Sequence, residues 1–166
     1  MKNVLHGGVR ARGIITAEIF RNGQLIDVCK TQNLIVDVGL QYALDAAFVG
    51  GAQTNWYVGL LGNATPAAGW TLTNAAASEI TAYNEATRPA WTKTRTGETI
   101  TNSASKALFT INVTTTDVYG AFLSTSSTKA GTTGTLFGAG LFASARTGLV
   151  SGDEVYITYQ IDAASA

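Results

Sequence analysis

Few side chains in this sequence could carry chemistry, and they are scattered. His6 is its single histidine and Cys29 its single cysteine. A hydrolytic triad or a thiol nucleophile needs a base held beside it. His6 lies among Gly7, Gly8, Arg10 and Arg12, where nothing fixes an imidazole, so Cys29 reads as a half-buried strand thiol. One cysteine and one histidine also exclude a disulfide framework and a zinc cluster. Among the carboxylates, Glu18 and Asp27 flank Asn22-Gly23, a preferred pair for a tight hairpin turn. A two-residue turn would set them opposite one another with β-carbons about 5 Å apart, near the spacing of a retaining glycosidase pair or of metal ligands. The plainer reading has both facing solvent beside a basic partner. Asp153 and Glu154 sit in a turn before a strand and read the same way.

The glycines of Gly134-Thr135-Leu136-Phe137-Gly138-Ala139-Gly140 fall inside a strand-like run, so they allow close backbone approach rather than cradle a phosphate. Arg88, Lys93 and Arg95 gather around Trp91, the residue mix of a single-strand nucleic-acid platform. Eleven basic and eleven acidic residues leave no net field, however, and favour a solvated strand face with no nucleic-acid partner. Trp56 is expected in the core. Trp70, in an irregular stretch, is either an anchor in the core or a partner contact. Arg10, Arg12, Trp70, Arg88 and Trp91 are the candidate partner-binding residues. No catalytic residue, cofactor site or metal site is assigned, and the chain reads as non-enzymatic.

The elements that position these residues are mostly strands. Ile14 to Phe20 and Leu25 to Lys30 form the hairpin, with Ile15, Ala17, Ile19, Ile26 and Val28 expected on its core face. Between Asn33 and Phe48 the apolar period changes from two to nearly four. Val36, Leu40, Leu44 and Phe48 recur at helical spacing, Asp37 is the expected N-cap, and Gly50-Gly51 ends the helix. Gly39 inside it costs roughly 1 kcal/mol against Ala, which implies close packing of another element there. Further strands are expected at 56–61, 79–83, 90–94, 106–113, 118–124, 136–142 and 154–161, with 63–78 as a long loop. The fold class is all-β: an antiparallel β-sandwich or jelly roll with one helix. Residues 1–13 are expected to form an extended N-terminal arm and residues 14–166 a single domain.

Charged residues make up 13% of the chain, about half the usual share, while uncharged polar types are plentiful. Such a surface suits broad contact with protein, because little charge is desolvated when the interface closes. No apolar run reaches the length of a secretory signal or a membrane span, so a soluble chain made in the cytoplasm is expected, with no membrane partner.

Several segments together resemble small virion proteins of tailed bacteriophages. They are Asn33-Leu34-Ile35-Val36 running into Gly39-Leu40, Trp56-Tyr57-Val58-Gly59-Leu60, Thr81-Ala82-Tyr83, and Ala86-Thr87-Arg88-Pro89. Ser103 to Ala107, Gly120-Ala121-Phe122-Leu123, Gly140-Leu141-Phe142 and Ser151-Gly152-Asp153 complete the set. The resemblance implies a capsid decoration or cement protein located on the virion, binding the major capsid protein and copies of itself as a dimer or trimer. A neck, tail or fibre-base component is the alternative, and a carbohydrate-binding module centred on Trp70 and Trp91 a more distant one.

Overall fold

A computed structural model describes the backbone of residues 9–51 and 55–165. The chain is all-β, built around one antiparallel sheet that curls over itself. Its strands are β1 (Val9–Arg21), β2 (Gln24–Ile35), β3 (Tyr57–Leu61), β4 (Glu79–Ile80), β5 (Thr94–Thr96), β6 (Thr99–Thr101), β7 (Ala107–Thr110), β8 (Thr116–Ser124), β9 (Leu136–Leu149) and β10 (Glu154–Ser165). They run in the order β4-β3-β8-β9-β2-β1-β10-β6-β5, with β7 also on β10. The two expected layers are thus the halves of one sheet, joined where Leu34 and Ile35 of β2 pair with Ala139 and Gly138 of β9. Ile15, Ile19, Ile157 and Tyr159 from one half share a core with Val58, Leu60, Val118 and Leu123 from the other. Between the stretches of β10 paired to β7 and β6, the buried Asn102 side chain acts as a strand: its Nδ2 donates to Ile157 O (3.1 Å) and its Oδ1 accepts from Tyr159 N (2.7 Å).

The first hairpin turns at Asn22 and Gly23, both at positive φ (51° and 75°), as a type I′ turn requires. Beyond the turn the register departs from the simple expectation. A bulge puts Phe20 opposite Leu25 but Ile19 opposite Asp27, leaving Ile26 as the extra residue. One added residue flips every later side chain to the other face. Ile26 and Val28, expected in the core, are therefore 49% and 50% exposed, and Cys29 is buried in their place. Glu18 now faces Val28, so the Glu18 and Asp27 carboxylates lie on opposite faces.

The N-terminal boundary also moves. Residues 9–13, expected in the arm, belong to β1 and pair with residues 161–165 of β10, because the C-terminal strand supplies the ladder partners. The remainder of the expected arm, with His6, lies outside the described residues.

The helix forms where expected, as α1 (Asp37–Leu44) continued by a π-helical turn, Asp45–Val49. Val36 is its N-cap and Asp37 its first residue, and Gly50 ends it at φ 83°. The expected apolar face is not the buried one: Leu40, Leu44 and Phe48 are exposed, Phe48 by 83%. What turns the helix is Gly39, which lies against the backbone of Phe137; a β-carbon there would come within 2.2 Å of Phe137 O. Tyr42, stacked edge-on to Trp56 at 5.0 Å, faces inward as well. Within the expected loop 63–78 a short helix, α2 (Leu72–Ala77), buries Leu72, Ala75 and Ala76 on the outer side of β3, β8 and β9. Its start is marked by Thr71 N–H donating to Asn74 Oδ1 at 2.9 Å.

The tight seat of Gly39 fixes the sign of a substitution. In an exposed helix Gly→Ala gains up to about 1 kcal/mol; here Gly39→Ala is expected to lose about 1–3 kcal/mol by overpacking. Urea unfolding of the two proteins measures it, and a gain in stability would refute the close contact.

Candidate functional site

The most elaborate polar arrangement is centred on Arg88, which is entirely buried. The residue lies in the connection between β4 and β5 and reaches back to the first residue of β4. Its Nε and Nη2 donate to Glu79 Oε1 (2.8 Å) and Oε2 (2.7 Å), a two-pronged pair with both side chains fully shielded from water. Nη1 donates to Ser126 O at 3.0 Å and Nη2 to Gly131 O at 3.1 Å. The guanidinium stands 5.1 Å from the centre of the Phe122 ring. Ala130 N–H completes the Glu79 carboxylate at 2.7 Å, and Arg88 N–H binds Ser127 O at 2.7 Å. The pair thus holds the serine- and threonine-rich loop between β8 and β9. This corrects the sequence reading of Arg88 as a surface contact or part of a solvated strand: its donors are used inside the protein.

Trp91 is corrected likewise. It is 5% exposed, its indole Nε1 donates to Tyr159 O at 2.8 Å, and only Lys93, over its ring at 5.5 Å, lies toward solvent. Of the basic group read around Trp91, Lys93 and Arg95 alone are exposed. Trp70 is half-buried and packs against the cluster of Val36, Leu61, Leu72 and Phe122. Arg10 and Arg12 are exposed near the start of β1, and Arg12 meets Asp162 at 3.3 Å. The structure therefore does not bring the five candidate residues into one site.

The separated carboxylates each have a cation: Glu18 is paired with Lys106, and Asp27 with Arg146 at 2.7 Å. Asp153, which read as an ordinary turn carboxylate, is buried. It accepts Arg21 Nε (2.8 Å) and Nη2 (2.6 Å) and the Val150 N–H (2.9 Å), fastening the turn before β10 to the end of β1. The Arg21 hydrogen bonds hold its carboxyl below the ordinary range. Burial pushes the Tyr83 and Tyr159 hydroxyls up, with the Glu79 charge adding to the effect at Tyr83. Among the described residues no three His, Cys, Asp or Glu side chains converge. A depression of about 350 Å³ beside Ile26, Asp27 and Arg146 is a shallow groove.

The surface feature that stands out is apolar. Of nine exposed large hydrophobic residues among those described, eight fall between positions 25 and 49: Leu25, Ile26, Val28 and Leu34 on β2, and Leu40, Leu44, Phe48 and Val49 on the helix and its π turn. Periodicity could not reveal them, because the bulge and the Gly39 contact decide which way each element faces. Comparison with known proteins finds no match: no family model, no curated protein and no solved structure is similar to this chain.

Two outcomes follow from the buried polar groups. Arg88→Met leaves the buried Glu79 without its cation and is expected to cost about 3–5 kcal/mol. Adding Glu79→Gln should recover much of that, since no charge is then stranded. Thermal unfolding of both variants tests this; equal losses would show that packing, not charge, dominates. For Asp153, the lowered pKa means that folding favours the ionised form. The contribution is present above its unfolded value, about pH 4, and fades as pH falls through the folded value. Asp153→Asn should therefore lower Tm at neutral pH, with the gap from wild type narrowing steadily in acid. A gap that does not change with pH would refute the linkage.

Proposed function

We propose that this protein is a non-enzymatic virion component of a tailed bacteriophage that binds and stabilises the capsid shell as a decoration or cement protein. The observation that carries the protein-binding part of this reading is the concentration of exposed apolar side chains on β2 and α1. Soluble monomers rarely leave such surface open, and patches of this kind mark contact with protein or membrane. The capsid part rests on the sequence segments that resemble phage virion proteins.

Surface chemistry supports the same reading. Thr73 on α2, and Thr94, Thr114, Thr132, Thr147 and Ser151 in loops and strand ends, are exposed, and their hydroxyls can bond a partner without the desolvation cost of charge. Buried charges tie strands and loops into a rigid body, which suits a clamp that must not deform under load. Arg10 and Arg12, exposed at the start of β1, are the proposed contacts with carboxylates on the shell, and Trp70 is the proposed aromatic contact.

The test is to add purified protein to shells lacking it and measure occupancy and the temperature at which the shells break. Binding in numbers comparable with the shell subunits, together with a raised breaking temperature, is expected. Arg10→Glu with Arg12→Glu should reduce occupancy while leaving the free domain folded. A few copies per particle would instead assign the protein to the neck or tail, and no binding to any particle part would overturn the virion reading.

A further inference from the structure

The exposed apolar residues form two faces of opposite charge character. One is the outer side of α1 and its π turn, where Leu40, Leu44, Phe48 and Val49 are exposed. This element contains Asp37 and Asp45 and no basic residue; both acids are exposed, and neither is in an ion pair among the described residues. The other is the outward side of β1 and β2. There Val28 and Leu34 are exposed beside a shallow groove of about 300 Å³ lined by Arg12, Ile14, Lys30, Thr31 and Gln32. Lys30 is exposed and has no carboxylate partner among the described residues, and the Arg12 side chain is 57% exposed.

We infer that the helix face of one copy docks on the β1–β2 face of a second copy, in a head-to-tail contact. Charge selects this pairing over its alternatives. Two helix faces would bring Asp37 and Asp45 against the same acids, and two sheet faces would bring the unpaired Lys30 against itself, Arg12 being paired with Asp162. Glu18 and Asp162 on the sheet face are already paired with Lys106 and Arg12, so among unpaired charges only the crossed arrangement sets acids beside a base, and it covers apolar surface on both sides. The dimensions agree: the stripe from Leu40 to Phe48 is about 12 Å long, and β2 from Val28 to Leu34 offers about 20 Å. Within one chain the two faces cannot meet, because α1 is fixed against β9 by Gly39. A head-to-tail contact gives a ring where its rotation returns to the first copy and an open filament where it does not; a ring is the form that a protein on a symmetric shell would take. The contact requires no shell, so its test is independent of the proposed function.

The experiment uses the full chain and light-scattering mass. Wild type is expected as a closed oligomer of two or more copies. Phe48→Asp spoils only the helix face and Val28→Asp only the sheet face, so each alone should be monomeric. Mixed in equal amounts, they should form a one-to-one dimer through the one interface that remains intact. If either variant fails to fold by its melting curve, Asp45→Lys and Lys30→Asp take their places; each should dissociate the oligomer, and the two together in one chain should restore it. A monomeric wild type would overturn the inference. So would a mixture that stays monomeric, or association strengthened by Asp45→Lys, the sign of helix-to-helix pairing.

Discussion

Arg88 and Glu79 place two full charges where no water reaches them, and the arrangement around them follows from that constraint. Removing such a pair from water costs several kcal/mol per ion unless every donor and lone pair finds a partner. The partners here are two carboxylate prongs, the carbonyls of Ser126 and Gly131, and the Ala130 N–H. To supply them, the loop between β8 and β9 must wrap the guanidinium and β4 must begin beside it. The same segment continues to Trp91, whose indole bonds the backbone of Tyr159 in the opposite half of the sheet. This connection ties the β3–β8–β9 half to the β1–β10 half across the core, alongside the Asp27–Arg146 pair and the Arg21 bond to Gly148 O.

Side-chain direction is governed by two local events. The bulge opposite Ile26 sends Val28 outward and Cys29 inward, which dissolves the apparent Glu18–Asp27 pair and gives each carboxylate its own cation. The contact of Gly39 with Phe137 presses one side of α1 to the sheet and leaves Leu40, Leu44 and Phe48 in water. Neither event improves the free chain: each exposes apolar area that a simple arrangement would cover. Surface left open by two independent constraints on adjoining elements is what a protein-binding role requires. The low charge of the chain works in the same direction, because few ions must be stripped of water at a contact.

Ion pairs divide by depth. Arg88–Glu79 and Arg21–Asp153 immobilise loops from within, and their partners are backbone groups as often as side chains. Arg12–Asp162 is an exposed pair, worth little to stability in water. Its basic member remains available to a partner carboxylate. Lys30, Asp37 and Asp45 have no ion pair among the described residues, and they lie on the faces where apolar side chains are also open.

Local chemistry alone determined the all-β class, the Asn22-Gly23 turn, the helix that begins at the change of period and stops at Gly50, and the close approach at Gly39. Each depends on a few neighbouring residues: positive φ at a turn, or a missing β-carbon in a helix. The α2 signal was present too, in Thr71 and Asn74 with Leu72, Ala75 and Ala76 at helical spacing, but six residues are too short for a period to stand out. Tertiary structure decided the rest. The burial of Arg88 depends on carbonyls some forty residues away, and that of Trp91 on β10. The start of β1 at Val9 depends on the last strand of the chain. Whether Ile26, Val28 and Leu44 face core or solvent turns on one bulge and one backbone contact, because periodicity defines which residues share a face but not which face the rest of the protein covers.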